Sequence, residues 1–343
     1  MYSFKNDYSE GAHPRILEKL LKTNLEQTEG YGKDKYCIEA ENLIKNKLNN
    51  KDVNVHFISG GTQTNLITIS AFLRPYEAAI SANTGHIQVN EAGSIEATGH
   101  KVIPVNVKDG KLRKEDIVSV LSKYTNEHVV KPKLVYISNS TEIGTIYTKS
   151  ELEGLNQVCR ENNLILFMDG ARLGSALACK ENDLTFEDIS KLTDAFYIGG
   201  TKNGALLGEA LVICNKDLQE DFRYNLKQKG AMLAKGRLLG IQFTELFKDD
   251  LYIEIGKHEN DMADILRDGI KSLGYDFLVD SPSNQIFPIL DNEVIEKLEK
   301  SYGFNIWERV SEERTAIRLV TSFATKEENC LEFIKVLKYI TNK

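Results

Sequence analysis

Leu164-Ile165-Leu166-Phe167-Met168-Asp169-Gly170-Ala171-Arg172 and Ala195-Phe196-Tyr197-Ile198-Gly199-Gly200-Thr201-Lys202-Asn203-Gly204 are the two stretches that decide the fold of this chain. Each opens with an apolar run that shows no polar alternation, and such runs are the strands buried on both faces of a sheet. The first runs straight into an acid. The second leads through small residues to a lysine, where a bulky planar group could approach the backbone. In open α/β sheets ligands bind at the carboxyl ends of the strands, so both charged residues fall where a site is expected.

Working outward, the same kind of run recurs at 55–58, 78–80, 102–105, 134–137 and 210–213. Amphipathic helical spacing fills the intervals, as at 63–73, 113–123 and 150–162. Buried strands alternating with helices predict an α/β fold with a mostly parallel sheet sandwiched by helices. Upstream, residues 1–14 read as an irregular arm, and Pro14 opens a helix carrying Ile16, Leu17, Leu20, Leu21 and Leu25. Residues 36–48 read as a second helix. Beyond a long helical stretch at 220–250 the pattern changes. Helices near 257–273, 290–301 and 327–340 mix with short strands near 275–279, 285–289 and 316–321, the pattern of a smaller C-terminal α+β domain. The expected division is 1–245 for the large ligand-binding domain and 246–343 for the small one.

Composition narrows the function. The chain of 343 residues is 41% hydrophobic and 27% charged, as an ordinary globular protein is. Its net charge of −7 is dispersed, which argues against a nucleic-acid or acidic-membrane partner. One basic cluster stands out, Lys227, Lys229, Lys235 and Arg237. The 5 cysteines are odd in number and far apart, with no ligand spacing, so a reduced cytoplasmic setting and no metal are expected. The opening residues carry no apolar core of a signal peptide, and no apolar run approaches the roughly 20 residues of a membrane helix.

The strand-end acid and lysine match the needs of a pyridoxal phosphate site. A lysine amine forms a Schiff base with the cofactor, and a carboxylate keeps the pyridine nitrogen protonated. A solvated lysine and a plain Asp-Gly turn are the bland readings. Ser59-Gly60-Gly61-Thr62-Gln63 follows a strand and opens a helix, so it is either a phosphate cradle or a capped turn. His86, also after a strand, either stacks on a planar cofactor and moves protons or is a hydrogen-bonded histidine without chemistry. Arg172 and Arg318 are candidates for carboxylate capture, or for ion pairs within the fold. The order carries more than any single motif, because every candidate lies at the carboxyl end of a strand or in the second domain.

The chain resembles the threonine aldolase and β-eliminating lyase group of fold type I (aspartate-aminotransferase-type) pyridoxal phosphate enzymes over nearly its whole length. The residues that carry the resemblance are Ser59-Gly60-Gly61-Thr62, His86, Ile95-Glu96-Ala97-Thr98-Gly99-His100-Lys101-Val102, Asp169-Gly170-Ala171-Arg172, Lys202 and Ile317-Arg318-Leu319-Val320-Thr321. The resemblance implies that Lys202 binds pyridoxal 5'-phosphate covalently, that Gly61, Thr62 and Gln63 hold its phosphate, and that His86 stacks on its ring. It implies that Asp169 pairs with the ring nitrogen and Arg172 with the phenolate side. Arg318 would take the substrate carboxylate, helped by Arg172 and by Asn6 where the family usually has serine. Tyr31, with Lys235 or Arg237, would reach the site of a neighbouring subunit in a homodimer or homotetramer.

Two departures stand out. The family's Ser-Asp-Thr-x-Thr reads Asn6-Asp7-Tyr8-Ser9-Glu10 here, and the histidine usually found near position 142 is absent from Ser138-Asn139-Ser140-Thr141-Glu142-Ile143-Gly144. The resemblance implies cleavage of a β-hydroxy-α-amino acid, L-threonine or L-allo-threonine, to glycine and an aldehyde. His86 is the first candidate for the base at the hydroxyl and Glu142 the second. β-Elimination or transamination of a small amino acid on the same scaffold is the alternative, and a fold retained for binding without turnover is the reading from another class.

Overall fold

The computed structural model describes residues 1–341. A short strand β1 (Tyr2–Ser3) precedes the seven strands of the main sheet. These are β2 (Asn54–Ile58), β3 (Glu77–Ala82), β4 (Lys101–Val105), β5 (Lys131–Ser138), β6 (Ile165–Asp169), β7 (Ala195–Gly199) and β8 (Glu209–Ile213). Their order is β2-β8-β7-β6-β5-β3-β4. The β4-β3-β5-β6-β7 pairings are parallel, and β8 runs antiparallel to both β7 and β2. The mostly parallel sheet flanked by helices is therefore the one the apolar runs predict, with one reversed strand that those runs could not reveal.

Both faces of the sheet are covered. Leu166, Met168, Phe196 and Ile198 belong to one hydrophobic cluster, whereas Ile165, Phe167 and Tyr197 belong to the cluster on the other side. Alternate residues point to opposite faces of a strand, so an apolar residue is needed at every position. Each such side chain contributes roughly 1.5–3 kcal/mol on burial. The runs stop at the carboxyl ends of the strands, where Asp169 ends β6 and Gly199 ends β7.

The second unit is built around β13 (Arg314–Val320). It pairs with β10 (Ile289–Asp291) and β12 (Asn305–Arg309), and its end pairs with β9 (Gln285–Ile286). β1 lies parallel to β11 (Tyr302–Gly303), and the next residue, Phe4, is fully buried in this unit's core with Leu266, Leu319 and Phe333. Residues 2–4 thus pack with the C-terminal unit, although they lie at the other end of the chain. The long helix Leu251–Ser272 serves both units: Leu251, Tyr252 and Ile255 enter the sheet's cluster, while Met262, Ala263 and Leu266 enter the second. Position 245 falls inside the preceding helix, Arg237–Phe247.

Two local expectations fail. Residues 275–279 form no strand, only an isolated bridge from Phe277 to Pro288. Residues 305–309 form a strand the hydrophobic pattern did not show, because β12 is an edge strand whose Ile306, Glu308 and Arg309 are exposed.

Candidate active site

Lys202 reaches its place through a turn held by a carboxylate. The Gly200 N–H donates to Glu209 Oε2 at 2.9 Å and the Thr201 hydroxyl to Oε1 at 2.8 Å. Gly199 is needed there, since a Cβ on it would lie 2.4 Å from the Ala171 carbonyl oxygen. The turn delivers Lys202 into a cavity of about 340 Å³ that Gly61, Thr62, His86, Glu142, Asp169 and Glu209 also line. Lys202 has no carboxylate partner among the described residues; its Nζ lies 5.9 Å from the Tyr8 ring centroid. Burial and the charge of Arg172 lower its pKa, outweighing Asp7, Asp169 and Glu209. Glu209 itself is pushed up to about 7 by burial, against hydrogen bonds from Thr201 and Gly200.

Asp169, at the end of β6, lines the same cavity as a fixed anion. Its Oδ1 accepts from the Tyr197 hydroxyl at 2.5 Å and the Ala171 N–H at 3.0 Å. Its Oδ2 accepts from the Tyr136 hydroxyl at 2.5 Å and Asn65 Nδ2 at 3.2 Å. Burial alone would raise its pKa, but the charge of His86 and the two hydroxyls hold it below the usual carboxylate range.

His86 starts the short helix after β3, and its Nδ1 lies 2.8 Å from Glu91 Oε1. Glu91 is buried and also accepts from Asn65 at 2.7 Å and Ser94 at 2.6 Å. Burial lowers the pKa of His86, yet the Glu91 hydrogen bond and the Asp169 charge outweigh it, so the imidazole keeps its second proton to higher pH. Glu142 Oε1 accepts from the His86 N–H at 2.9 Å and the Ser138 hydroxyl at 2.7 Å. Burial, then the charge of Asp169, raises the Glu142 pKa against the Ser138 bond and His86.

The two arginines differ. Arg172 donates from Nε to Asp7 Oδ2 at 2.6 Å and from Nη2 to Oδ1 at 3.1 Å, a bidentate pair with Asp7 wholly buried. Asp7 also accepts from Asn284 Nδ2 at 3.0 Å. Arg172 also lines the cavity with Lys202, and its Nη1 takes no part in the bonds to Asp7. Arg318 is the opposite case: it has no ion pair among the described residues, and its Nε is buried without a hydrogen-bond partner. Burial and the charge of Arg172 bring its pKa down to about 10, against Asp7 and Tyr8.

The cavity fits a phosphorylated planar cofactor. The helix Gly61–Phe72 has no side-chain cap at Gly60, so its first N–H groups are left for an anion. A Cβ on Gly60 would meet nothing within 4 Å, whereas one on Gly61 would come 3.1 Å from the Tyr197 hydroxyl. An unpaired lysine amine and a buried ionised aspartate complete what such a group needs.

Other expected residues lie elsewhere. Gln63 accepts from Ser59, which lines the cavity, at 2.6 Å and donates to the Lys229 carbonyl at 3.2 Å. Asn6 caps its own turn, through Tyr8 N–H at 3.0 Å and Ser9 at 2.9 Å. Tyr31 lines a separate groove beside His56 and Arg223, and Lys235 and Arg237 line another. Arg237 is engaged there, donating to the carbonyls of Thr23 and Glu26 at 2.6 Å each. Sequence reasoning did not single out Asp7, Glu91, Tyr136 or Glu209. Glu209 alone carried a signal, as an acid opening an otherwise wholly apolar strand.

A lysine-bearing strand end facing a buried aspartate on an aminotransferase-type sheet defines a class of cofactor-dependent lyases and transferases. The chain belongs to the beta-eliminating lyase family, whose family model matches residues 8–292, and within it to the threonine aldolase group. A low specificity L-threonine aldolase from Pseudomonas sp. is 31% identical over 86% of this chain and 86% of its own length. Another, from Pseudomonas aeruginosa, is 29% identical over 98% of this chain and 97% of its own length. The solved structure of Leishmania major threonine aldolase is 51% identical, covers 99% of each chain and superposes with a TM-score of 0.98. The lyase assignment and the fold expected from sequence both stand on these matches. Among the described residues no helix is long and apolar enough to cross a membrane.

Proposed function

We propose that the chain is a pyridoxal phosphate-dependent aldolase that cleaves L-threonine or L-allo-threonine to glycine and acetaldehyde. The observation that carries this reading is the meeting, on one cavity, of unpaired Lys202, ionised Asp169 and Glu142, whose Oε1 accepts from the His86 backbone N–H. Low-specificity threonine aldolases among the relatives support the substrate class. Pyridoxal phosphate, when bound, supplies the electron sink for the pair left at the substrate Cα. Lys202 anchors it, and the N–H groups of Gly61 and Thr62 hold its phosphate. Asp169, kept ionised by two tyrosine hydroxyls, holds the proton on its ring nitrogen. Arg318 takes the substrate carboxylate through a guanidinium that has no ion-pair partner among the described residues.

Glu142 removes the β-hydroxyl proton. A base must be deprotonated and have an atom free to take the proton; the pKa of both candidates is raised, so their hydrogen bonds separate them. His86 Nδ1 is already engaged by Glu91 Oε1 at 2.8 Å, whereas both bonds that Glu142 accepts fall on Oε1. Glu142 is a carboxylate whose burial makes it a stronger base than a solvated one. This reverses the ranking drawn from sequence and leaves His86 to cover the cofactor ring. A homo-oligomer, in which Tyr31 and Lys235 reach a neighbour's site, and a cytoplasmic location complete the reading.

The test is direct. Protein loaded with cofactor, given either threonine diastereomer, should release glycine and acetaldehyde in equal amounts. Release of pyruvate from serine or cysteine, with no acetaldehyde from either diastereomer, would replace aldol cleavage by β-elimination.

A further inference from the structure

We propose that Trp307 is the positioning residue that presents Arg318 to the substrate's carboxylate. The inference rests on the reading that Arg318 binds that group, and it concerns the one tryptophan in the chain. The Arg318 guanidinium carbon lies over the Trp307 ring, 5.1 Å from its centroid. Trp307 is itself braced, its ring edge-on to the fully buried Phe287 with centroids 5.0 Å apart.

The backbone is shaped for this contact. On the two flanking strands Ile306 pairs with Ile317 and Glu308 with Ala316, so Trp307 is the extra residue of a bulge and has no partner across the ladder. A bulge re-aims a side chain, and this one lies beside Arg318, itself paired with Asn305. The same strand is tied to the N-terminal arm that carries Asp7 and Tyr8, through Asn305 Nδ2 to the Lys5 carbonyl at 2.8 Å.

The consequence for binding is geometric. A guanidinium held over an indole ring keeps N–H donors on its far side, where a carboxylate can meet them. Arg318 Nε is buried and unpartnered, and leaving a buried donor unmade is costly. The side chain is therefore held against the indole with an unfilled donor. An arginine without the indole would keep its charge and lose that support.

The experiment compares W307L, W307F and R318A in cofactor-loaded protein. Glycine binding is followed by calorimetry, and the wild-type tryptophan emission is followed as glycine is added. W307L should weaken glycine binding and raise KM for threonine about tenfold, with kcat changed less than about twofold; W307F, which keeps a ring face, should recover most of the loss. Binding of 2-aminoethanol, which lacks the carboxylate, should be unaffected in W307L. Glycine should shift the wild-type emission, because the indole lies against the group that receives it. If R318A weakens glycine binding but W307L and W307F do not, this inference is wrong and the carboxylate reading stands. If R318A leaves glycine binding unchanged, the carboxylate reading itself is wrong. If W307L does not fold, W307F decides: a lowered melting temperature with unchanged glycine affinity makes Trp307 a packing residue only.

Discussion

Replacing Glu142 by glutamine separates proton transfer from every structural duty of that side chain. Both hydrogen bonds that Glu142 accepts, from the His86 N–H at 2.9 Å and Ser138 at 2.7 Å, fall on Oε1. Glutamine keeps an Oε1 that can accept both, so the loop and the start of the His86 helix have no cause to move. What is lost is Oε2, which has no partner among the described residues, together with the charge. General base catalysis contributes about 10²–10⁴-fold, or about 3–5 kcal/mol of barrier, so kcat should fall by that factor. Glycine affinity should change little, since the carboxylate is bound elsewhere. The pH profile gives an independent reading. The Glu142 pKa lies above its ordinary 4.5, and only the ionised form accepts a proton. Wild-type kcat/KM should therefore rise with pH through a value above 4.5, and the acidic limb should vanish in the variant. Acetaldehyde release coupled to an NADH-linked dehydrogenase measures both. A Glu142→Gln enzyme with kcat near wild type, alongside a His86→Phe enzyme that has lost most of its rate, would refute the assignment and return the base role to His86.

Lys202→Ala should abolish both turnover and the visible absorbance of bound cofactor, as a spectrum of the purified variant will show. Asp7→Ala should cost about 3–5 kcal/mol in urea denaturation, because Arg172 keeps its charge and loses its carboxylate in a buried setting; Asp7→Ala with Arg172→Met should recover much of that loss. Glu259 is 2% exposed with an unpartnered Oε1, and burial, then the charge of Asp7, raises its pKa well above 4.5. A raised folded pKa means that the folded state holds the proton longer, so its contribution is complete below 4.5 and is lost as pH rises through the folded value. Melting temperatures should therefore fall less with rising pH in Glu259→Gln than in wild type; an unchanged slope would show that this carboxyl is ionised when folded.

What the sequence showed and what it hid follow one division. Residues buried on both faces of β6 and β7 had to be apolar at every position, so the strands, their carboxyl ends and hence Asp169 and Lys202 were visible as breaks in unbroken runs. The direction of β8 was not visible, because an apolar run reads alike in both senses. Position 245 lies within one helix, whereas the hydrophobic core passes from one cluster to the other within the next, Leu251–Ser272; a helix that buries part of its length in each unit has no compositional break. β12 was hidden because an edge strand with exposed Ile306 and Glu308 lacks the apolar alternation that marks a half-buried one.

The arginines show why the site was only partly legible. Local sequence gives Arg172 and Arg318 equal standing, each next to an apolar run in a plausible place. Which of them is free depends on partners far along the chain. Asp7 lies 165 residues before Arg172, and that pairing exists only because the N-terminal arm folds back onto the second unit through β1 and Phe4. The same fold-back places Lys5 against Asn305, the residue that pairs with Arg318. One stretch of arm thus neutralises the first arginine and flanks the second. An arm that detached would leave Arg172 without its carboxylate beside Lys202, whose amine Arg172 already makes harder to protonate. The counter-charge of Asp7 keeps that effect in bounds, so the arm belongs to the site as much as the sheet does.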